Sequence, residues 1–148
     1  MNEEKVLQKA IIACFRRKYP QYTWHFLNEK KKAQIGQYLM AGLTGIYTGS
    51  SGSAVKKGAY IKGLKDQGMV VGQPDLMLPM RAANQSYNGL FMELKRPKIN
   101  KNGVKQAGGK LSLSQEKFRE IAVNIGWNYL VITSLDEAMN ALKNHLGH

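Results

Sequence analysis

Two short and mainly apolar segments, DLMLPM at residues 75–80 and GLFMELKR at residues 89–96, lie on either side of a polar turn. We interpret them as an antiparallel hairpin, because apolar runs of this length bounded by turn residues are typical of strands. In such a hairpin, the register that opposes Asp75 and Glu93 centres the turn on Asn84. Because that position is polar, the pairing predicts two carboxylates facing each other.

The same hairpin predicts a cluster of charged side chains. Side chains alternate along a strand, so Lys95 shares a face with Glu93, whereas Leu94 points into apolar packing. Two carboxylates held close together repel, and one is driven to protonate unless they share a cation. Carboxylate, water and phosphate oxygens are the ligands of Mg²⁺, and Mn²⁺ accepts the same set. With a neighbouring lysine, such a site suits phosphodiester hydrolysis.

A simpler interpretation of these charges stays open at this point. A Glu and a Lys two positions apart on a strand also form ordinary solvated ion pairs. The hairpin alone does not decide between that arrangement and a metal site.

Length and charge narrow the class of protein. The chain has 148 residues, of which 43% are hydrophobic, so we expect one domain with a real core. There are 22 Lys and Arg against 10 Asp and Glu, a formal net charge of +12, which favours a polyanionic partner such as nucleic acid, although lysines also serve solubility alone. The candidate phosphate-binding residues are Lys30, Lys31, Lys32, Lys62, Arg96, Lys98, Lys101 and Lys105.

Other features argue for a cytoplasmic protein. No apolar run approaches the length of a membrane span, and the basic residues 16–18 follow the first apolar stretch, which is the wrong order for a signal peptide. The single cysteine, Cys14, cannot form an internal disulfide, as expected in a reducing compartment.

The remaining patterns predict an α/β fold, a small mixed β-sheet flanked by helices. Amphipathic helices are expected at residues 3–18, after Ser112 and after Ser134, and strands at residues 22–27 and 128–133. Residues near 33–57 are rich in Gly and Ser, so we expect a flexible insertion there. We expect an exposed basic loop at residues 97–110.

Three motifs in this order resemble the VRR-NUC family of the PD-(D/E)xK nuclease superfamily, whose fold is restriction-endonuclease-like. The motifs are GQPDL at residues 72–76, GLFMELKRP at residues 89–97 and KLSLSQ at residues 110–115. Glu4 and Gln8 also stand where the family places Glu and Gln in the first helix. The match spans residues 4–142, with the insertion as the main departure, so the whole chain is expected to be a single nuclease domain.

The resemblance implies roles for individual residues. Asp75, Glu93 and the backbone carbonyl of Leu94 would bind Mg²⁺ or Mn²⁺, and Lys95 would be the catalytic lysine. Gln115 matches a glutamine close to the active site, but it is also the expected partner of Ser112 in a capping box. Glu4 matches an acidic residue beside the metal, and its alternative role is favourable placement in a first helical turn.

Domain size and family together predict a function. Stand-alone members of the family resemble phage or bacterial endonucleases that cut branched DNA such as Holliday junctions, and a homodimer would supply the two active sites that a junction needs. The alternatives are a catalytically silent nucleic-acid-binding protein and a nuclease for RNA or single strands.

Overall fold

The computed structural model describes most of the chain. The described residues are 2–42, 62–99, 102–103, 105–106 and 110–148, with the backbone alone at 98–99 and 105–106. Lys101 and residues 43–57 of the expected insertion lie outside them.

The described residues form helices and short strands, and most of the strands lie in two consecutive groups between helices. The helices are α1 (Glu3–Lys18), α2 (Leu113–Asn124) and α3 (Leu135–Leu146), and residues 62–66 are also helical. The strands are β1 (Thr23–Leu27), β2 (Ala33–Gln37), β3 (Met40–Ala41), β4 (Leu76–Leu78), β5 (Leu90–Leu94), β6 (Lys98–Ile99), β7 (Lys105–Gln106) and β8 (Asn128–Ile132).

A four-stranded mixed sheet forms the centre of the fold, in the order β3-β4-β5-β8. Strand β4 runs antiparallel to both β3 and β5, and β8 runs parallel to β5. The β4–β5 register pairs Leu76 with Met92 and Leu78 with Leu90, so the hairpin is centred on Asn84. The predicted register is therefore confirmed, and its continuation by one residue opposes Asp75 and Glu93.

Helices cover both faces of this sheet. On one face, buried residues of α1 and α3, such as Phe15 and Leu142, pack against Leu76, Met92 and Leu94. On the other face, α2 covers a smaller cluster built around Phe91 and Tyr129. Each fully buried side chain of this kind contributes about 1.5–3 kcal/mol. Since alternate residues of β5 enter the two clusters, Leu94 faces the α1 side and Glu93 faces the α2 side, as predicted.

Side-chain caps fix the helix starts that position the charged residues. The side chain of Asn2 accepts from the backbone N–H of Glu4 at 2.9 Å, which places Glu4 in the first turn of α1. The predicted capping box at the start of α2 is present, with Ser112 as its first residue and Gln115 as its second. Caps of this kind are worth about 1 kcal/mol each.

Two expectations about irregular segments are wrong in part. The insertion was expected to begin near residue 33, but residues 33–37 form β2 and pair with β1, and residues 40–41 form the edge strand β3. The segment 97–110, expected to be a loop, contains the paired strands β6 and β7. Both errors have one physical cause: these short strands are held by pairing with neighbours rather than by apolar alternation of their own.

Within the described residues, no helix has the length and apolarity needed to cross a membrane.

Candidate active site

The carboxylates of Asp75 and Glu93 lie at the end of the β4–β5 ladder, on the side of the sheet that α2 covers. The backbone N–H of Leu94 donates to Oδ2 of Asp75 at 2.7 Å. Glu93 is 4% exposed, and its Oε2 is a buried atom without a hydrogen-bond partner among the described residues. A buried carboxylate oxygen of this kind is costly unless a donor or a cation completes it.

The backbone around Asp75 is clamped between β3 and α2. The N–H of Gly42 donates to the carbonyl of Asp75 at 2.9 Å. On the other side, Gly72 has a φ of +90°, and a Cβ placed on it would lie 2.4 Å from the carbonyl oxygen of Ser114. Only glycine fits this contact, so the chain before Asp75 lies directly on the first turn of α2.

Gln115 connects the first turn of α2 to Glu93 of β5 and to Lys95, which follows that strand. Its Oε1 accepts from the backbone N–H of Ser112 at 2.9 Å and from Nζ of Lys95 at 3.0 Å. Its Nε2 donates to Oε1 of Glu93 at 2.8 Å. One side chain therefore forms the predicted capping box and also hydrogen-bonds to both Glu93 and Lys95.

Lys95 completes the cluster predicted from strand alternation. Its Nζ lies 3.8 Å from Oε1 of Glu93, and the side chain is 19% exposed. An ammonium carries three donors, and Gln115 uses one of them. The lysine is therefore fixed by its neighbours while it still reaches solvent.

Burial and mutual repulsion perturb both carboxylates. Burial, and after it the charge of Asp75, raise the pKa of Glu93 from 4.5 to about 8. Burial also raises the pKa of Asp75, and the charge of Glu4 adds to this, while the hydrogen bond from Leu94 opposes it. The pair therefore holds a proton near neutral pH unless a cation replaces it, as expected for carboxylates that share a site.

The donor set fits a divalent cation of the Mg²⁺ or Mn²⁺ type. Two carboxylates, one of which has a buried oxygen without a hydrogen-bond partner among the described residues, suit these ions, which also bind water and substrate oxygens. Among the described residues, no three His, Cys, Asp or Glu side chains converge to hold a metal. Glu4 therefore does not join Asp75 and Glu93 as a third carboxylate of one cluster, although its charge acts on both.

Pro74 deprives the backbone carbonyl of Leu94 of a hydrogen-bond donor from β4's side of the hairpin. Continued by two residues, the β4–β5 register sets Leu94 opposite Pro74. The N–H of Leu94 donates to the side chain of Asp75 instead of to a ladder partner. Proline has no N–H, so residue 74 cannot donate to the carbonyl of Leu94. This effect of Pro74 was not predicted from the sequence, although the Pro-Asp pair, placed in the hairpin register, indicates it.

Tyr129 is a second residue that sequence reasoning missed. It lies on β8, in the strand next to Glu93, and its hydroxyl is buried without a hydrogen-bond partner among the described residues. Burial raises the pKa of this hydroxyl, and the charges of Glu93 and Asp75 raise it further. Its position depends on the parallel β5–β8 register, which the sequence did not supply.

The basic residues fall into two groups. Arg96 is exposed and lines a cavity of about 130 Å³ together with Glu4 and Thr133, and it precedes β6 and β7, which carry Lys98 and Lys105. Lys30, Lys31 and Lys32 form the exposed turn of the β1–β2 hairpin, and Lys62 is exposed in the helical residues 62–66.

Comparisons with known proteins bear on the fold. No protein-family model matches the sequence, and no curated protein matches it. The chain is similar to a solved structure named "VRR_NUC domain protein", with a TM-score of 0.63 and 14% sequence identity over 99% of this chain and 90% of that chain. The expected fold class is therefore confirmed, and the chain has the fold of that VRR-NUC domain.

Proposed function

We propose that this protein is a divalent-metal-dependent endonuclease that hydrolyses phosphodiester bonds in DNA. The observation that carries the proposal is the carboxylate pair of half-buried Asp75 and buried Glu93, with Glu93 joined to Lys95 through Gln115. A formal net charge of +12 fits a polyanionic substrate, and the structural neighbour is named for a nuclease domain. The resemblance to the PD-(D/E)xK nucleases implies the same residues.

The residues of the site would have different roles in the reaction. Asp75, Glu93 and the carbonyl of Leu94 would hold the cation, which would polarise the phosphodiester and lower the pKa of a bound water. Lys95 keeps donors available after its bond to Gln115, so it can orient the attacking water or stabilise charge that develops on the phosphate. Gln115 holds both Lys95 and Glu93 in place before substrate arrives.

Glu4 and Arg96 act on the site without belonging to the carboxylate pair. The negative charge of Glu4 raises the pKa of both carboxylates, and this favours occupation by a cation. Arg96 is exposed beside Glu4, where a guanidinium can bind a backbone phosphate. Lys98, Lys101 and Lys105 follow it in the chain and would extend this phosphate contact.

The substrate we favour is branched DNA, and the working form is a homodimer. No zinc site or recognition-helix pattern reads base identity, so shape and charge would guide binding. Symmetric cutting of a four-way junction needs two active sites, which a two-fold dimer supplies. We place the protein in the cytoplasm, or in the cytoplasm of the bacterial host if a phage encodes it. A single cysteine suits such a reducing compartment.

Cleavage of a substrate panel tests this function. A labelled four-way junction, linear duplex, single strand and RNA are incubated with Mg²⁺, Mn²⁺ or EDTA, and the oligomeric state is measured by sedimentation. The proposal expects metal-dependent cutting of the junction by a dimer. Binding without cutting of any substrate would instead establish a silent binding protein, and cutting confined to RNA or single strands would establish a different nuclease.

A further inference from the structure

The β1–β2 hairpin stands apart from the central sheet and carries an unusual set of exposed side chains. It forms its own two-stranded sheet, with Trp24 opposite Gly36 and Phe26 opposite Gln34. Trp24 is 42% exposed and Phe26 is 46% exposed. Large aromatic side chains of a monomeric domain are normally buried, so an exposed row of them marks a binding surface.

The aromatic rings form a continuous line from the core to this hairpin. Phe15 and Tyr19 are buried, and each ring contacts the next through Tyr22 to Tyr38, with centroid distances of 5.3, 6.0 and 5.9 Å. Tyr38 then contacts Trp24 at 5.7 Å. The outer rings of Tyr38 and Trp24 are therefore packed against rings that the core holds, and both remain partly exposed.

Trp24 lies flat against its own hairpin. A Cβ placed on Gly36 would lie 2.2 Å from the indole ring, so the ring covers that glycine directly. Arg16 of α1 also donates twice to Oε1 of Gln37, at 2.9 and 2.8 Å, which anchors the base of the hairpin. A rigid aromatic platform of this kind needs little reorganisation when it binds a planar ligand.

The turn of the hairpin adds positive charge to the platform. Lys30, Lys31 and Lys32 are exposed, and the backbone N–H groups of Lys30 and Lys32 donate to Oδ1 of Asn28 at 3.0 Å. Lys31 has a φ of +60°, a left-handed conformation that favours glycine or asparagine. The turn therefore holds three lysines in an ordered array, although one of them occupies a position that disfavours a long side chain.

From this combination we infer that the β1–β2 hairpin binds unpaired DNA, with Trp24 and Phe26 stacking on bases and the lysine turn contacting phosphates. Stacking on aromatic side chains next to a basic groove is how proteins hold single strands without reading sequence. The inference rests on the proposed nuclease function for its biological meaning, since unpaired nucleotides occur at DNA branches.

The hairpin lies away from the carboxylates. Glu4 acts on Asp75 and Glu93 from the first turn of α1, whereas Arg16 contacts the hairpin from the last turn of the same helix. At a rise of 1.5 Å per residue these two positions are about 18 Å apart, roughly five base-pair steps. The hairpin would therefore bind the substrate at a distance from the cleaved bond. Substitutions in the hairpin should weaken DNA binding rather than slow the cleavage step.

A second copy of the chain is the competing occupant of this surface. It would bury the same aromatic rings, but a two-fold contact there would bring two lysine turns together, with Glu29 the single acidic residue in either strand or turn. Like charges placed opposite each other disfavour such an interface. The charge of the hairpin therefore favours a polyanion over a second protein copy.

Binding in EDTA tests the inference separately from cleavage. Anisotropy of a labelled oligothymidylate of about 12 nucleotides is compared with that of a blunt duplex for wild type, Phe26→Leu and Lys31→Gly. Lys31→Gly removes a charge and suits the left-handed backbone, so it should fold. Tyr87→Leu is the matched control, because Tyr87 is a similarly exposed aromatic residue, at 40%, outside the hairpin.

We expect Phe26→Leu to weaken single-strand binding by about 5- to 100-fold, with duplex binding and Tyr87→Leu close to wild type. In a Trp127→Phe background, the remaining Trp24 fluorescence should be quenched by the oligonucleotide. Unchanged single-strand binding by both hairpin variants, or a change in sedimentation of Phe26→Leu without any change in DNA binding, would overturn the inference. Absence of cleavage in the substrate panel would leave this binding result standing and would refute the nuclease alone.

Discussion

The carboxamide of Gln115 donates to Oε1 of Glu93 at 2.8 Å and accepts from Nζ of Lys95 at 3.0 Å. One neutral side chain at a helix start therefore fixes both an acid in β5 and a base two residues further along the chain. Because its Oε1 also accepts the N–H of Ser112, the orientation of the amide is set by α2.

Replacing Gln115 should affect activity more than stability. Gln115→Ala frees both Lys95 and Glu93, so we expect cleavage to fall by about 10- to 100-fold and the pH profile of the rate to shift. Ser112→Ala is the matched control, because it removes the cap alone and should cost about 1 kcal/mol of unfolding free energy. Equal losses of activity in the two variants, after correction for the folded fraction, would show that Gln115 acts only as a cap.

The raised pKa of Glu93 predicts how the metal-free protein responds to pH. Its carboxyl binds a proton in the folded state up to about pH 8 but releases it near pH 4.5 when unfolded. This contribution to stability is therefore full at low pH and is lost as pH rises through that window, by at most about 1.4 kcal/mol per pH unit. Urea unfolding in EDTA at several pH values should show the decline, and Glu93→Gln should flatten it. A wild-type slope equal to that of the variant would contradict the assignment.

Pro74 should favour metal binding because it has no backbone N–H. Pro74→Ala introduces an N–H opposite the carbonyl of Leu94, and a hydrogen bond there would compete with a cation for that oxygen. We expect Mn²⁺ to raise the Tm of Pro74→Ala less than that of wild type. Pro79→Ala is the control, because Pro79 is exposed just after β4. A full Mn²⁺ response in Pro74→Ala would remove the role we assign to the proline.

Substitutions at Gly72 and Gly68 distinguish the cost of backbone strain from the cost of a steric clash. Both have positive φ, +90° and +104°, but a Cβ would meet Ser114 only at Gly72 and nothing within 4 Å at Gly68. Gly68→Ala should cost about 1–3 kcal/mol from strain alone. Gly72→Ala should cost more and also reduce cleavage, because the chain before Asp75 must move away from α2. Chemical denaturation and cleavage rates measure these effects. Similar losses of unfolding free energy in the two variants, with unchanged cleavage, would refute the proposed contact between Gly72 and α2.

The sequence predicted the centre of this fold because local patterns and geometry agree there. The β4–β5 register that opposes Asp75 and Glu93 centred the turn on the polar residue Asn84, and the face of Glu93 and Lys95 followed from strand alternation. The capping box at Ser112 fixed the start of α2. Each of these features depends on residues close together in the chain, so one sequence was sufficient.

The features that sequence reasoning missed depend on contacts between distant residues. Strand β2 contains Gly36, a poor strand former, and it holds because the indole of Trp24 covers that glycine. Tyr129 lies next to the site through the parallel β5–β8 register, and the edge strand β3 is held by pairing with β4. None of these arrangements leaves a period or spacing in the sequence that would indicate it.

The most direct test of the central claim is the cleavage rate of a labelled four-way junction in Mn²⁺ for wild type, Glu93→Gln and Glu116→Gln. Glu116 is an exposed acidic residue in the first turn of α2, so its variant controls for loss of one carboxylate. We predict Mn²⁺-dependent cleavage that Glu93→Gln loses by about 100-fold or more and Glu116→Gln retains. Cleavage by purified Glu93→Gln at the wild-type rate, or cleavage by wild type that persists in EDTA, would contradict the account.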